Sequence, residues 1–322
     1  GKASFKDNSA SIITSVSMLA SMIFFPLLQQ MWTKKNQFKK ERKRRKKYKK
    51  YIEDKKNEIF QEIELQKQIL IENNYDIANV CKIIINKQRN LWDRKIEHLD
   101  FLNVRLGVGN TSPQIKVDIP EQHFTMDEDN LKDIYIELFN SIKDIENVPV
   151  TIDLVKHRLV GIIGKYNYVT KFLNCFMLQI MAFHSYDMLK IVVLTSKEKK
   201  ANWEKYRNIP HFWNNEKSMR YIGVDIDDIN KICNNLMQKY NERVELVDEN
   251  EENCYKKFKE YYLIISDEVD IVKNTSLYTE TIKNENNMGF SFVFINKKID
   301  KLPNECNIFI KFAILSSEGL LL

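Results

Sequence analysis

RLVGIIGKYNYVTKFLNCFMLQIM, running from Arg158 to Met181, changes its hydrophobic period at a glycine turn, and the fold follows from that change. Leu159, Val160, Ile162 and Ile163 form a short apolar run with β-branched side chains, the pattern of a buried strand. Beyond Gly164 the apolar residues Val169, Phe172, Leu173, Phe176, Met177, Ile180 and Phe183 recur at spacings of three and four. That spacing lays one broad helix face against a sheet. The unit reads as strand, glycine turn, helix.

A phosphate-cradling loop, G-x-x-x-x-G-K-[ST], occupies this setting, with backbone N–H groups and a lysine holding the phosphates. Counting from Gly161, the loop GIIGKYNY puts Tyr166, Asn167 and Tyr168 where the second glycine, the lysine and the hydroxyl residue belong. Lys165 stands one or two places early and Thr170 two places late, so a shifted loop could use Gly161, Gly164, Lys165 and Thr170 as its nucleotide-binding residues. Against this, a tyrosine in place of the second glycine crowds the backbone that must approach a phosphate. A strand, turn and helix with no ligand is the plainer reading of an isolated G-x-x-G.

The order of the later segments supports a nucleotide-binding architecture. Lys190 to Leu194 and Tyr261 to Ser266 read as strands, and the second ends on Asp267 and Glu268. An apolar strand closing on Asp-Glu has the form of a Walker B segment, in which one carboxylate orients Mg²⁺ and the next polarises the attacking water. Phe290 to Ile295 and Ile308 to Phe312 read as two more strands, with helices over Ile226 to Val244 and Leu277 to Glu285. Alternating strands and helices predict an α/β fold whose largely parallel sheet lies between helices.

Several stretches in order resemble one family. An apolar span is followed by a lysine and arginine run, then by LWDRKIEHLDFLNVRLGVG (Leu91 to Gly109), RNIPHFW (Arg207 to Trp213) and YLIISDEVDIV (Tyr262 to Val272). Together they resemble the membrane-bound coupling ATPases of type VII secretion systems, the EssC/EccC proteins, a branch of the FtsK/SpoIIIE family of RecA-like motors. The resemblance covers nearly the whole chain. It implies a transmembrane helix over residues 1–33, a basic juxtamembrane segment and helical stalk over 34–98, and a degenerate RecA-like P-loop NTPase domain over 99–322. It further implies a hexamer, contacts with other membrane components of the secretion system, and export of small helical proteins through downstream domains. ATP and Mg²⁺ are implied for the longer protein, and no cofactor is expected in a domain without the Walker lysine.

Composition bounds the reading independently. A chain of 322 residues accommodates one sizeable core and a smaller appendage. Gly1 opens it without a methionine and Leu322 closes it without a stop signal, so a fragment is expected. Ile12 to Met31 carries no charge and is long enough as a helix to cross a bilayer of roughly 30 Å. Lys34 to Lys50 holds twelve lysines and arginines against Glu41 alone, and a basic run after the apolar one places everything beyond residue 33 in the cytoplasm of a cell-membrane protein. That run carries +11 of a total of +6, which leaves the rest near −5. A nucleic-acid reader carries its basic stripe on the folded domain. Here anionic lipid headgroups are the expected partner and nucleic acid is not.

Between run and domain, Tyr48 to Ile71 and Asp76 to Glu97 read as two helices around an Asn73-Asn74 turn, either an antiparallel stalk or a pair packed flat on the core domain. Leu102 to Gly109, Gln114 to Ile119 and Pro149 to Leu154 read as strands extending the sheet, with a helix over Asp127 to Asp144. Arg105 invites an arginine-finger reading, although such a residue more often satisfies a carboxylate in its own domain. The five cysteines have no C-x-x-C spacing and the five histidines stand singly, so free thiols and no metal site are expected.

Overall fold

Residues 4–114, 144–248 and 251–312 are described by the computed structural model. The chain divides into two compact units, Gly1–Gln68 with Thr111–Ile145 and Ile69–Asn110 with Glu146–Leu322. The strand expected over Gln114 to Ile119 (except Gln114) and the helix expected over Asp127 to Asp144 (except Asp144) lie outside the described residues.

Helix α1, Ser4–Asn73, supplies most of the first unit and continues through Pro26. Its basic stretch is exposed, and Glu41 pairs with Arg44 at 3.1 Å and Arg45 at 3.2 Å on neighbouring turns. Val16, Leu19, Phe24, Phe25, Leu28 and Trp32 are all exposed. No helix of the described residues is long and apolar enough to cross a membrane. Residues 12–15, 20 and 23 of the expected span lie outside those whose side chains are described.

In the second unit the predicted second stalk helix is largely absent. Helix α2 covers only Ile77–Ile85, with Asp76 as N-cap accepting from Asn79 N at 2.8 Å. Its buried Val80 and Ile83 pack with Ala182 and Phe183, so it belongs to the α/β core. The chain leaves helical geometry at Lys87 (φ 46°) and again at Trp92 (φ 60°), left-handed values that a helix does not contain.

Strands β1 (Asn103–Thr111) and β2 (Ile145–Asp153) form a two-stranded sheet of their own. They do not extend the main sheet as expected. The main sheet comprises β3 (Leu159–Ile163), β4 (Leu189–Leu194), β5 (Ile222–Gly223), β6 (Tyr261–Ser266), β7 (Phe290–Asn296) and β8 (Ile308–Lys311), in the order β5-β4-β6-β7-β3-β8. Both edges are therefore taken, by β5 and β8. Its paired neighbours run parallel, with Leu159 opposite Phe292 and Val160 opposite Ile308.

Helix α3 (Tyr166–Phe183) covers one face, where Val169, Leu173, Phe176 and Met177 meet Val160, Ile162, Val193, Leu263 and Val293. On the other face α4 (Ile226–Val244), α5 (Val269–Lys273) and α6 (Ser276–Lys283) meet Val192, Leu194, Ile264, Phe292 and Phe294. Strands buried on both faces lose the polar alternation of a half-exposed sheet, which is why β4, β6 and β7 read as mostly apolar runs, with Lys190 and Ser291 among the buried exceptions. The expected order of strands and helices from Arg158 onward is present. The two-residue β5, the single-turn α5 and several single-turn 3-10 helices, all too short for any periodicity, add to it.

Candidate functional site

The site forms where β3 and β6 end on the same side of the sheet with β7 between them. Gly164 links β3 to α3, its N–H donating to Asn296 O at 3.2 Å. A Cβ on Gly164 would stand 2.9 Å from Phe312 Cβ, and one on Gly161 would stand 2.7 Å from Phe309 Cδ1 and 2.8 Å from Leu302 Cδ1. Among the described glycines only Gly289 has a positive φ, 82°. The space left by the two missing side chains at the loop is thus filled from β8 and its flanks. Phe312, whose ring lies 5.0 Å from that of Phe172, covers the turn itself.

The remaining loop residues sit apart from one another. Lys165 precedes α3 as its N-cap residue and its side chain is exposed. Thr170 Oγ1 donates back to Tyr166 O at 2.8 Å, a bond within the helix that occupies the hydroxyl. Tyr166 turns toward β6, and its Oη donates to Asp267 Oδ2 at 3.2 Å. The cavity beside it, bounded by Thr170, Asn174, Asn202, Trp203 and Tyr206, measures about 10 Å³, the room of roughly one water.

Asp267 and Glu268 follow β6 directly. Asp267 N donates to Leu194 O at 3.3 Å, which holds it against the end of β4, and Glu268 N donates to Ser266 Oγ at 3.0 Å. Between the carboxylates lies the ammonium of Lys199, from the turn after β4. Its Nζ is 3.1 Å from Glu268 Oε1, 3.6 Å from Asp267 Oδ2 and 3.4 Å from Asp267 O. The same Nζ is 6.0 Å from the centre of the Tyr166 ring. Burial pushes the Asp267 carboxyl above its ordinary range, and the Lys199 charge opposes that shift. Burial also raises the Tyr166 phenol, reinforced by the Asp267 charge and the hydrogen bond to it. Tyr166 therefore remains a neutral donor at physiological pH.

Magnesium and a triphosphate do not fit this arrangement as it stands. A phosphate loop needs backbone N–H groups that a phosphate can approach, and here Phe309, Leu302 and Phe312 pack over its glycines. A metal at these carboxylates would meet the Lys199 ammonium, which sits at Asp267 Oδ2 and Glu268 Oε1, while Tyr166 also donates to Asp267 Oδ2. Of the residues anticipated from sequence, the fold brings Asp267 to the loop through Tyr166 and pairs Glu268 with Lys199, and it leaves Lys165 and Thr170 outside these contacts. Lys199 was not anticipated. It lies in the basic stretch Lys197 to Lys200 with no distinguishing neighbour, so no local signal could have selected it.

The stretches that carry the family resemblance are largely structural. Trp92 N donates to Ala182 O at 2.8 Å, Trp92 Nε1 to Met181 O at 3.0 Å and Arg94 N to Phe183 O at 3.0 Å. These bonds satisfy the carbonyls left open at the end of α3. The buried Arg94 guanidinium pairs with Asp100 at 3.1 Å, donates to Asn73 O at 3.0 Å and to Asn103 O, and stacks 4.7 Å from the Phe183 ring. Arg105 is satisfied inside its own unit, by Asn74 O at 2.9 Å rather than by a carboxylate. In the third stretch His211 Nε2 donates to His184 O at 2.8 Å. His184 in turn donates from Nδ1 to Ile180 O at 2.8 Å and accepts from Leu102 N at 2.9 Å. Burial lowers these imidazoles to about 3 for His184 and about 4 for His211. Among the described residues no group of three or more His, Cys, Asp or Glu is placed to hold a metal, and all five cysteines are free thiols.

Comparison with known proteins places this site in context. The chain is 25% identical over 305 residues, 93% of its length, to the type VII secretion system protein EssC of Staphylococcus aureus strain MSSA476. It is 24% identical over 303 residues, 94% of its length, to the ESX secretion system protein EccC of Geobacillus thermodenitrificans. It spans about 20% of the length of each of these relatives. Among solved structures it is similar to ATPases 2 and 3 of Thermomonospora curvata EccC in complex with a signal sequence peptide, at 12% identity and a TM-score of 0.41, covering 65% of this chain and 35% of that one. It is also similar to ATPases 2 and 3 of EssC from Geobacillus thermodenitrificans, at 12% identity and a TM-score of 0.39, covering 69% and 40%. No family model matches the chain.

Proposed function

We propose that this chain is a non-hydrolysing ATPase-like module of a type VII secretion motor, joining a membrane-proximal helix to motor domains elsewhere in a longer protein. One observation carries the reading. The Walker B-like carboxylates are held by Lys199 and Tyr166, and Tyr166 stands in the loop position where a phosphate-binding sequence has its second glycine. A domain of this kind contributes a surface and a rigid joint while its neighbours hydrolyse nucleotide. The decisive measurement is the melting temperature with and without Mg-ATP. No shift is expected, and a saturable rise would overturn the reading.

The start of α1 complements this role. Its exposed Phe24, Phe25, Leu28 and Trp32 are followed by the twelve-cation run, a sequence suited to a bilayer with the positive side facing the cytoplasm. In this reading the assembly is hexameric, and its partners are other membrane components of the system and small helical secreted proteins. The membrane part requires that the chain resist carbonate extraction from membranes and lose that resistance on deletion of residues 1–33.

A second reading is a live ATPase using Asp267 and Glu268 with Lys165 or a lysine from elsewhere, favoured by the closeness of Asp267 to the glycine turn. Calorimetric ATP binding that disappears in Lys165→Ala would establish it. A DNA-translocating motor of the FtsK/SpoIIIE kind is disfavoured by the net negative charge outside the basic run. It would require salt-dependent DNA affinity in a chain lacking residues 34–50.

A further inference from the structure

We propose that Lys199 is a built-in cation, taking at the Asp267–Glu268 pair the place that an external divalent ion would otherwise hold. This rests on the reading of the domain as ATPase-like and non-hydrolysing, and it names the residue that keeps the site closed.

Adjacent carboxylates at the end of a buried strand repel one another, and burial penalises the Asp267 charge further. They require a cation or a proton. The Asp267 side chain is only 3% exposed, and its Oδ1 has no hydrogen-bond partner among the described residues. Its other oxygen receives the Tyr166 hydroxyl at 3.2 Å and faces the Lys199 ammonium at 3.6 Å. Lys199 also meets Glu268 Oε1 at 3.1 Å and the Asp267 backbone carbonyl at 3.4 Å. Three oxygens from two residues thus surround one Nζ, the donor set a hard divalent cation would seek at such a strand end. The ammonium is preorganised because Lys199 belongs to a tight turn, in which its own N–H donates to Ser196 O at 3.1 Å and its carbonyl accepts from Asn202 N at 3.0 Å. An external ion must therefore displace a tethered charge before it can bind.

Removing the ammonium, with the stem retained, converts the pair into an open site. The probe is MnCl₂, followed by electron paramagnetic resonance on the purified chain. Lys199→Met is expected to bind Mn²⁺ at least about tenfold more tightly than wild type, and Lys199→Arg, which keeps the charge, to remain like wild type. The gain is expected to vanish in Lys199→Met/Asp267→Asn. Equal Mn²⁺ affinity in wild type and Lys199→Met would overturn the proposal, as would a gain that survives Asp267→Asn. Lys199→Gln, which keeps a donor at similar reach, replaces Lys199→Met if the latter loses its near-ultraviolet circular dichroism. A wild-type melting shift with Mg-ATP would sink the non-hydrolysing reading alone. Failure of the Mn²⁺ series sinks the assignment of Lys199 alone.

Discussion

Gly164 has no side chain because Phe312 stands where one would go. Its backbone is not left-handed, so conformational freedom is not the reason for glycine there. A methyl group 2.9 Å from Phe312 Cβ presses on an atom tied to the backbone, and a rotamer change cannot relieve it. Gly164→Ala is expected to cost about 1–3 kcal/mol without any nucleotide present. Urea denaturation of the ligand-free chain measures this, and an unchanged midpoint would mean that the glycine serves something other than packing. The histidines make a second prediction at this scale. His184 and His211 have folded pKa values of about 3 and about 4, below the unfolded value of about 6.5. The unfolded chain therefore binds protons that the folded one refuses. Their stabilising effect is present above pH about 6.5 and is lost progressively as the pH falls toward 4 and then 3. Melting temperature should drop between pH 7 and pH 5, and His184→Gln should flatten that slope. An identical slope in the variant would place the proton uptake elsewhere.

At the scale of elements, the segment around Trp92 and Arg94 acts as a strap. It closes the C-terminal end of α3, and through Asn73 O it ties the end of α1 to the same point. Lysine cannot reproduce a planar guanidinium that bonds two carbonyls, pairs with Asp100 and stacks on Phe183. Arg94→Lys is expected to cost about 2 kcal/mol. It should also release α2 and the Trp92 segment to hydrogen exchange before the sheet. Exchange that rises uniformly over the chain would show instead that the strap and the sheet unfold as one unit.

For the whole molecule, the ordering of the sheet makes folding depend on residues far apart. Strand β3, which bears the loop, pairs only with β7 and β8, so Leu159 awaits Phe292 and Val160 awaits Ile308. Parallel pairing across such separations is slow, because loop closure costs entropy before any contact repays it. A chain ending at residue 285 keeps β4, β6 and the helices on both faces yet leaves β3 with no neighbour. It is expected to lose cooperative unfolding by circular dichroism. A sharp transition in that truncation would mean that β3 is dispensable to the core.

The sequence by itself determined the longer strands and helices from Arg158 onward, because their apolar periods record which faces are buried. Val169 to Phe183 reads as a helix face, and Tyr261 to Ser266 as a doubly buried strand, from spacing alone. It also implied that the glycine turn and the end of the Asp267 strand lie close together, as the bond from Tyr166 to Asp267 has them. The length of α2 and the separate pairing of β1 with β2 were not legible. Helical spacing continues past Ile85 whether or not Trp92 finds the end of α3, and strand periodicity does not name a partner. The cation at the carboxylates was equally hidden. Lys199 is one of four charged residues in a row, and only the tertiary fold, by ending β4 beside β6, sets its ammonium 3.1 Å from Glu268.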